Sequence, residues 1–210
     1  MNPRNDMNKS PLNTETSARL RVAGRRIFAR QGYEGASVRT ITREARANLG
    51  AVTYHFGSKE GLYEAVVDGA LAPLRERVTE AASVPGPPLE RIEGVVRAFF
   101  VHLSENPDMP HFMLQQVTSG VEPIEPVQQT MQHVIGTLST LLREGQKDGS
   151  ILESDMLPTV IGIIALPVHL TLVGRLLSRA GGISGGVPAD RAEEHAVQFV
   201  TRALGAKGVS

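Results

Sequence analysis

Between Asn48 and Lys59 the chain reads Asn-Leu-Gly-Ala-Val-Thr-Tyr-His-Phe-Gly-Ser-Lys, a run dense in groups that can hydrogen-bond a nucleic acid. Leu49 in part, with Val52 and Phe56, follows the i, i+3, i+7 spacing of a packed helix face, which leaves Gly50, Ala51, Thr53, Tyr54 and His55 outward. Small side chains on that face let a helix sink into a major groove. The hydroxyls of Thr53 and Tyr54 and the imidazole of His55 suit phosphates and base edges. Lys59 opens the next helix, where free backbone N–H groups also favour a phosphate. This is the chemistry of recognition, not of turnover. The sequence has no Gly-rich phosphate loop and no nucleophile elbow, and His102, His111 and His133 lack a neighbouring ligand pattern. No catalytic residue, metal or cofactor is expected, and an enzyme is the minor alternative.

Helices must position this run, and helical periodicity dominates the chain, so the expected fold is all-α. Leu20, Ala23, Ile27 and Phe28 make one apolar face, ended by Gly32. Ser37 is suited to cap a short helix carrying Val38, Ile41 and Ala45. A three-residue turn, Arg46-Ala47-Asn48, leads into the outward-facing run, and two short helices so joined are a helix-turn-helix signal. Ser58 then caps a longer helix with Glu60 in its first turn.

Val84-Pro-Gly-Pro-Pro88 is the strongest breaker and the expected domain boundary. Residues 1–14 are expected to be a disordered lead-in, 15–60 the helix-turn-helix domain, 61–83 a connecting helix, and 84–210 a helical body. In the body, Ile92 to Leu103 forms a wide apolar stripe, a short helix is expected from Phe112 to Thr118, and Val127 to Leu141 has bundle spacing closed by Gly149. Met156–Gly174 is 19 residues without a charge, close to the length of a membrane span. Its Pro158, Pro167 and His169 argue instead for a helix buried in a protein interface, with no membrane as partner. Pro167 is expected to kink it. The absence of cysteine removes disulfides and thiolate sites and fits a cytoplasmic protein, as does the lack of a signal-peptide pattern at the start.

The formal net charge is zero, but it is unevenly spread. Residues 1–60 hold eleven Lys/Arg against five Asp/Glu, +6, and residues 61–210 hold eleven against seventeen, −6. A basic third on an acidic body is the asymmetry expected when one end meets a polyanion.

The runs Gly32-Tyr-Glu-Gly-Ala-Ser-Val-Arg-Thr-Ile41 and Gly50-Ala-Val-Thr-Tyr-His-Phe-Gly-Ser-Lys-Glu-Gly-Leu-Tyr63 resemble the DNA-binding signature of the TetR (tetracycline repressor) family. The resemblance covers about residues 16–66. It implies three DNA-binding helices followed by a helical effector-binding and dimerisation domain. It further implies a homodimer on a palindromic double-stranded DNA operator, released when a small-molecule effector binds the body. By position it implies that Arg39, Thr40 and Asn48 join the DNA-binding set, that Leu49, Gly50, Ala51 and Thr53 face bases, and that Tyr54, His55 and Lys59 face the backbone. The family usually has glycine where this chain has Arg46, at a left-handed turn residue. Met156–Gly174 and the helix Ala189–Leu204 are the candidates for the subunit interface. Phe99, Phe100, Leu103, Phe112, Met113, Gln116, Met131, Thr137, Leu138 and His169 are the candidate effector lining, which suits a largely apolar ligand. A ligand-independent DNA-binding protein of the same fold is the other reading, and repression or activation depends on where the operator lies.

Overall fold

Leu20, Ala23, Ile27 and Phe28 are all buried, and the helix that carries them is α1, Pro11–Gly35. The structure, a computed structural model, describes residues 11–109, 112, 122–180 and 188–205. The chain is already helical at Pro11, the first described residue, so the last four residues of the expected lead-in are helical. At Gly32 the backbone leaves the helix (φ 71°, ψ 176°), a conformation open to glycine, and this is the break the sequence places there.

Three more helices follow: α2 (Val38–Glu44), α3 (Ala51–Phe56) and α4 (Lys59–Ser83). Beyond them are α5 (Pro88–Glu105), α6 (Glu125–Asp148), α7 (Met156–Ala180) and α8 (Ala189–Leu204). Among the described residues there is no strand, only an isolated antiparallel bridge between Ile151 and Gly205. Helix α6 ends against Gly149, whose φ of 78° is the left-handed cap expected of it. The helix expected over Phe112 to Thr118 lies outside the described residues except for Phe112.

The chain divides into two compact units, but not at the Val84–Pro88 breaker. One is Met1–Ala70 with His111–Val127, the other Leu71–Pro110 with Gln128–Ser210. The division falls inside α4, because the two halves of that helix serve different cores. Leu62, Val66, Val67 and Ala70 are buried in the first unit, and Leu74, Val78 and Ala82 belong to the core of the second. A proline–glycine run breaks a helix, yet a helix need not end where a core does. Pro73 lies in α4 just past the division and leaves the Gly69 carbonyl without its helical N–H partner.

In the first unit α1 packs on α2 and α3. Gly24 admits α4 closely: a β-carbon there would lie 3.3 Å from Val66 and 3.5 Å from Leu62. In the second unit α5 packs on α7 and α8, which pack on each other. Arg97 bridges to Glu193 at 2.8 Å, and Thr201 donates to Glu93 at 3.1 Å, tying α8 to α5. The apolar run on α7 has a mean hydropathy of 2.0 but is only 17% buried within this chain. Val160, Ile163 and Pro167 face the core, while Leu157 and Ile161, one turn apart, stay more than half exposed. The expectation of burial is therefore unmet by the chain alone.

Candidate nucleic-acid interface

Each helix of the first unit is fixed by a local device. Ser37 Oγ accepts the Thr40 N–H at 3.1 Å and caps α2. The Thr40 hydroxyl lies 2.8 Å from Ser37 Oγ, so its side chain serves the cap. Ile41 and Thr42 are buried, and Arg39 is left exposed at the start of α2. Glu44 is held by Arg26 at 3.0 Å and Arg30 at 3.2 Å, which clamps α2 to α1 and commits two cations to the scaffold.

The turn after α2 passes through Arg46 at φ 50°, the only non-glycine positive φ among the described residues. A left-handed residue is thus required where arginine stands, at a cost of about 1 kcal/mol relative to glycine. Arg46→Gly should leave thermal stability equal or slightly raised, since relief of the turn is offset by a freer unfolded chain. DNA affinity should fall if the guanidinium reaches a phosphate. A melting temperature lowered by several degrees would contradict this account of the turn.

Helix α3 begins three residues later than the sequence suggests. The Ala51 N–H donates to the Asn48 carbonyl at 2.9 Å, so Asn48 to Ala51 form a turn before the helix proper, and Tyr54 N–H then bonds the Gly50 carbonyl at 2.9 Å. Leu49 is consequently 62% exposed instead of partly packed. Val52 is buried and Phe56 half-buried, with the Arg21 guanidinium 5.7 Å from its ring centre. Asn48, Leu49, Gly50, Thr53 and Tyr54 are exposed, and Ala51 and His55 half-buried.

Ser58 Oγ accepts the Gly61 N–H at 3.0 Å and caps α4. Any β-carbon at Gly61 would collide with the Phe56 carbonyl, so the α3–α4 corner needs glycine. Lys59, half-buried, places its ammonium 4.3 Å from the centre of the Tyr33 ring. Burial first, and then the carboxylates of Glu60, Glu34 and Glu64, push the Tyr33 phenol above its usual pKa. Tyr33, Phe28 and Tyr63 form one aromatic cluster with ring centres 5.0 to 6.2 Å apart, and Phe112 meets Tyr63 at 6.3 Å.

Two clefts flank α3. One of about 490 Å³ joins Thr16 and Arg19 of α1 to Arg46, Asn48, Tyr54 and His55. The other, about 350 Å³, lies among Asn13, Thr14, Ser17, Arg21 and His55. The α1 residues were not among those singled out from sequence. The signal was the i, i+4, i+8 spacing of Asn13, Ser17 and Arg21, a polar stripe on the helix whose apolar stripe drew notice.

The candidate effector lining does not assemble as a group. Phe99, Phe100 and Leu138 are packed in the core of the second unit, and Leu103 is buried. Met131 is 47% exposed, and Phe112 belongs to the first unit. His169 is exposed, its Nδ1 3.2 Å from the Ala165 carbonyl one turn back, so it is not the buried polar group expected. It falls on the open side of α7 because Ile163 and Pro167 set the buried side. Met113 and Gln116 lie outside the described residues. Thr137 borders an open groove of about 510 Å³ with Thr79, Ser83, Gln132 and His133.

Residues 20–66 match the family model of bacterial regulatory proteins, tetR family. The chain is 37% identical over 67 residues to the HTH-type transcriptional repressor AcnR of Corynebacterium glutamicum, a match covering 32% of this chain and 36% of that protein. The match thus spans about a third of that relative's length. It is 25% identical over 174 residues to the HTH-type transcriptional repressor SCO4008 of Streptomyces coelicolor, covering 81% of this chain and 86% of the relative. A tetR-family regulatory protein from Rhodococcus RHA1 shares the fold, with a TM-score of 0.75 and 18% identity over 92% of this chain and 98% of the other.

Proposed function

We propose that the chain, whose residues 20–66 match the family model of bacterial regulatory proteins, tetR family, is a homodimeric, ligand-responsive transcriptional repressor of that family on a palindromic operator and not an enzyme. The observation that carries the reading is the exposure of Asn48, Gly50, Thr53 and Tyr54 on an element whose other side, Val52, is 1% exposed, within the basic third of the chain. A helix anchored in this way presents polar groups to a groove without loosening its own packing. One such helix spans too few base pairs for a specific site, so two copies are required, about one helical turn apart on the DNA. The open apolar faces of α7 and α8, with Ile161 53% and Phe199 58% exposed, support a second copy as what covers them.

Lys59 and Thr53 separate backbone from base contacts. Lys59→Ala should weaken binding to all duplexes alike and flatten the dependence of log affinity on log salt by about 0.9, one phosphate's worth of counterions. Thr53→Ala should relax preference at one base pair, with about 1–3 kcal/mol of discrimination at stake. Salt titrations of both variants by fluorescence anisotropy decide it. An unchanged slope in Lys59→Ala would show that its ammonium serves only the Tyr33 ring.

We further propose that a small, largely apolar effector binds the second unit. The competing reading, a ligand-independent regulator, draws support from the close packing of Phe99, Phe100 and Leu138, none more than 6% exposed. Thermal shift across a metabolite panel distinguishes them, because a ligand that binds only the folded state raises the melting temperature.

A further inference from the structure

We propose that the first three turns of α1 are a second DNA-contacting element: Arg21, Ser17 and Thr14, with His55 of α3, seat a backbone phosphate, and Asn13 orients the hydroxyl of Tyr54 toward another. The inference rests on the DNA-binding reading above and extends the contact surface beyond the helix-turn-helix. Asn13, Ser17 and Arg21 recur every four residues and lie seven residues before the buried Leu20, Gly24 and Phe28, so the polar stripe continues the packed side of α1 toward its N-terminal end.

That face is fastened to the recognition element at both ends. Asn13 Nδ2 donates to the Tyr54 hydroxyl oxygen at 3.3 Å, and the Arg21 guanidinium lies 5.7 Å from the Phe56 ring centre. Between these points is the cleft of about 350 Å³ shared with His55. Among the described residues no carboxylate lines it.

The charges around it point to an anion. Arg19 is paired with Glu15, and Arg26 and Arg30 with Glu44, whereas Arg21 has no carboxylate partner among the described residues. A guanidinium steadied over an aromatic ring and left without an anion is pre-organised for phosphate, which it can bind through two N–H groups. Ser17 and Thr14 add hydroxyl donors. The amide of Asn13 occupies a lone pair of the Tyr54 oxygen, so the phenolic proton stays available to an outside acceptor. Tyr54 is 65% exposed, which leaves that proton open to DNA. Asn13 is in this sense a positioning residue.

The test uses the full chain and a duplex that the wild type recovers from a random-sequence pool. Arg21→Ala should bind about ten-fold more weakly, with a salt slope flatter by about 0.9. Its loss of contact with Phe56 could also perturb α3, so Asn13→Asp is the second variant. A carboxylate in the first turn of α1 favours the helix, and the melting temperature should be unchanged or higher. It would nevertheless take the Tyr54 proton for itself and repel phosphate, so affinity should fall about ten-fold on any duplex. In a Tyr54→Phe background the same substitution should cost distinctly less. Wild-type affinity and slope in both variants would overturn this second element alone. Failure of the wild type to retain any duplex would overturn the regulator reading, and this one with it.

Discussion

Ile161→Asp is expected to turn a stable dimer into a folded monomer. Ile161 lies one turn from Leu157 on the side of α7 opposite Val160 and Ile163, and 53% of it is exposed in the single chain. A two-fold interface doubles every substitution, since the same patch faces itself. An uncompensated buried carboxylate costs at least about 3 kcal/mol, so two raise the dissociation constant by about 10⁴. Because the substituted side chain lies outside the core of its own unit, the melting of the monomer should show an ordinary cooperative transition. Operator affinity should collapse with the dimer, as each half-site is left to one helix. Sedimentation at micromolar concentration reads the outcome directly. A variant that still sediments as a dimer would place the interface elsewhere.

Ile41→Ala should dismantle the DNA-binding unit while sparing the body. Ile41 is fully buried on a helix of seven residues, too short to persist without tertiary packing. Removing its side chain from a close-packed core costs about 2–5 kcal/mol, a large share of the stability of a small domain. Hydrogen exchange should show the amides of α1 to α3 losing protection, with those of α5 and α8 retained. DNA binding should disappear even though dimerisation through α7 and α8 persists. Full protection over α2 in this variant would contradict the packing described for the first unit.

The parts of the fold that announce themselves in sequence are those fixed by one or two residues. Ser37 and Ser58 cap where capping chemistry places them, Gly32 and Gly149 break helices with positive φ, and Arg46 occupies the left-handed position that glycine would take more easily. The exposure of Thr53 and Tyr54 followed from the phase of Val52 and Phe56. What escaped depends on contacts between distant segments. Periodicity did not mark where α4 passes from one core to the other, since Leu62, Val66, Ala70, Leu74, Val78 and Ala82 recur every four residues without a break. Nor could it assign Phe112 to the aromatic cluster of Tyr63 instead of to the body, or tell that Met131 and His169 face outward. The pairing of Arg26 and Arg30 with Glu44, 18 and 14 residues away, has no signature in local spacing.

On the function proposed above, two copies of this chain read a two-fold symmetric DNA site through α3. Selection of duplexes from a random-sequence pool by the full-length chain, followed by measurement of the mass of the complex on the enriched sequence, tests it most directly. The expected outcome is an inverted repeat with half-sites about one helical turn apart, bound by an even number of chains, and lost on Ile161→Asp. Enrichment of an asymmetric site held by a single chain, or no enrichment at all, would contradict it.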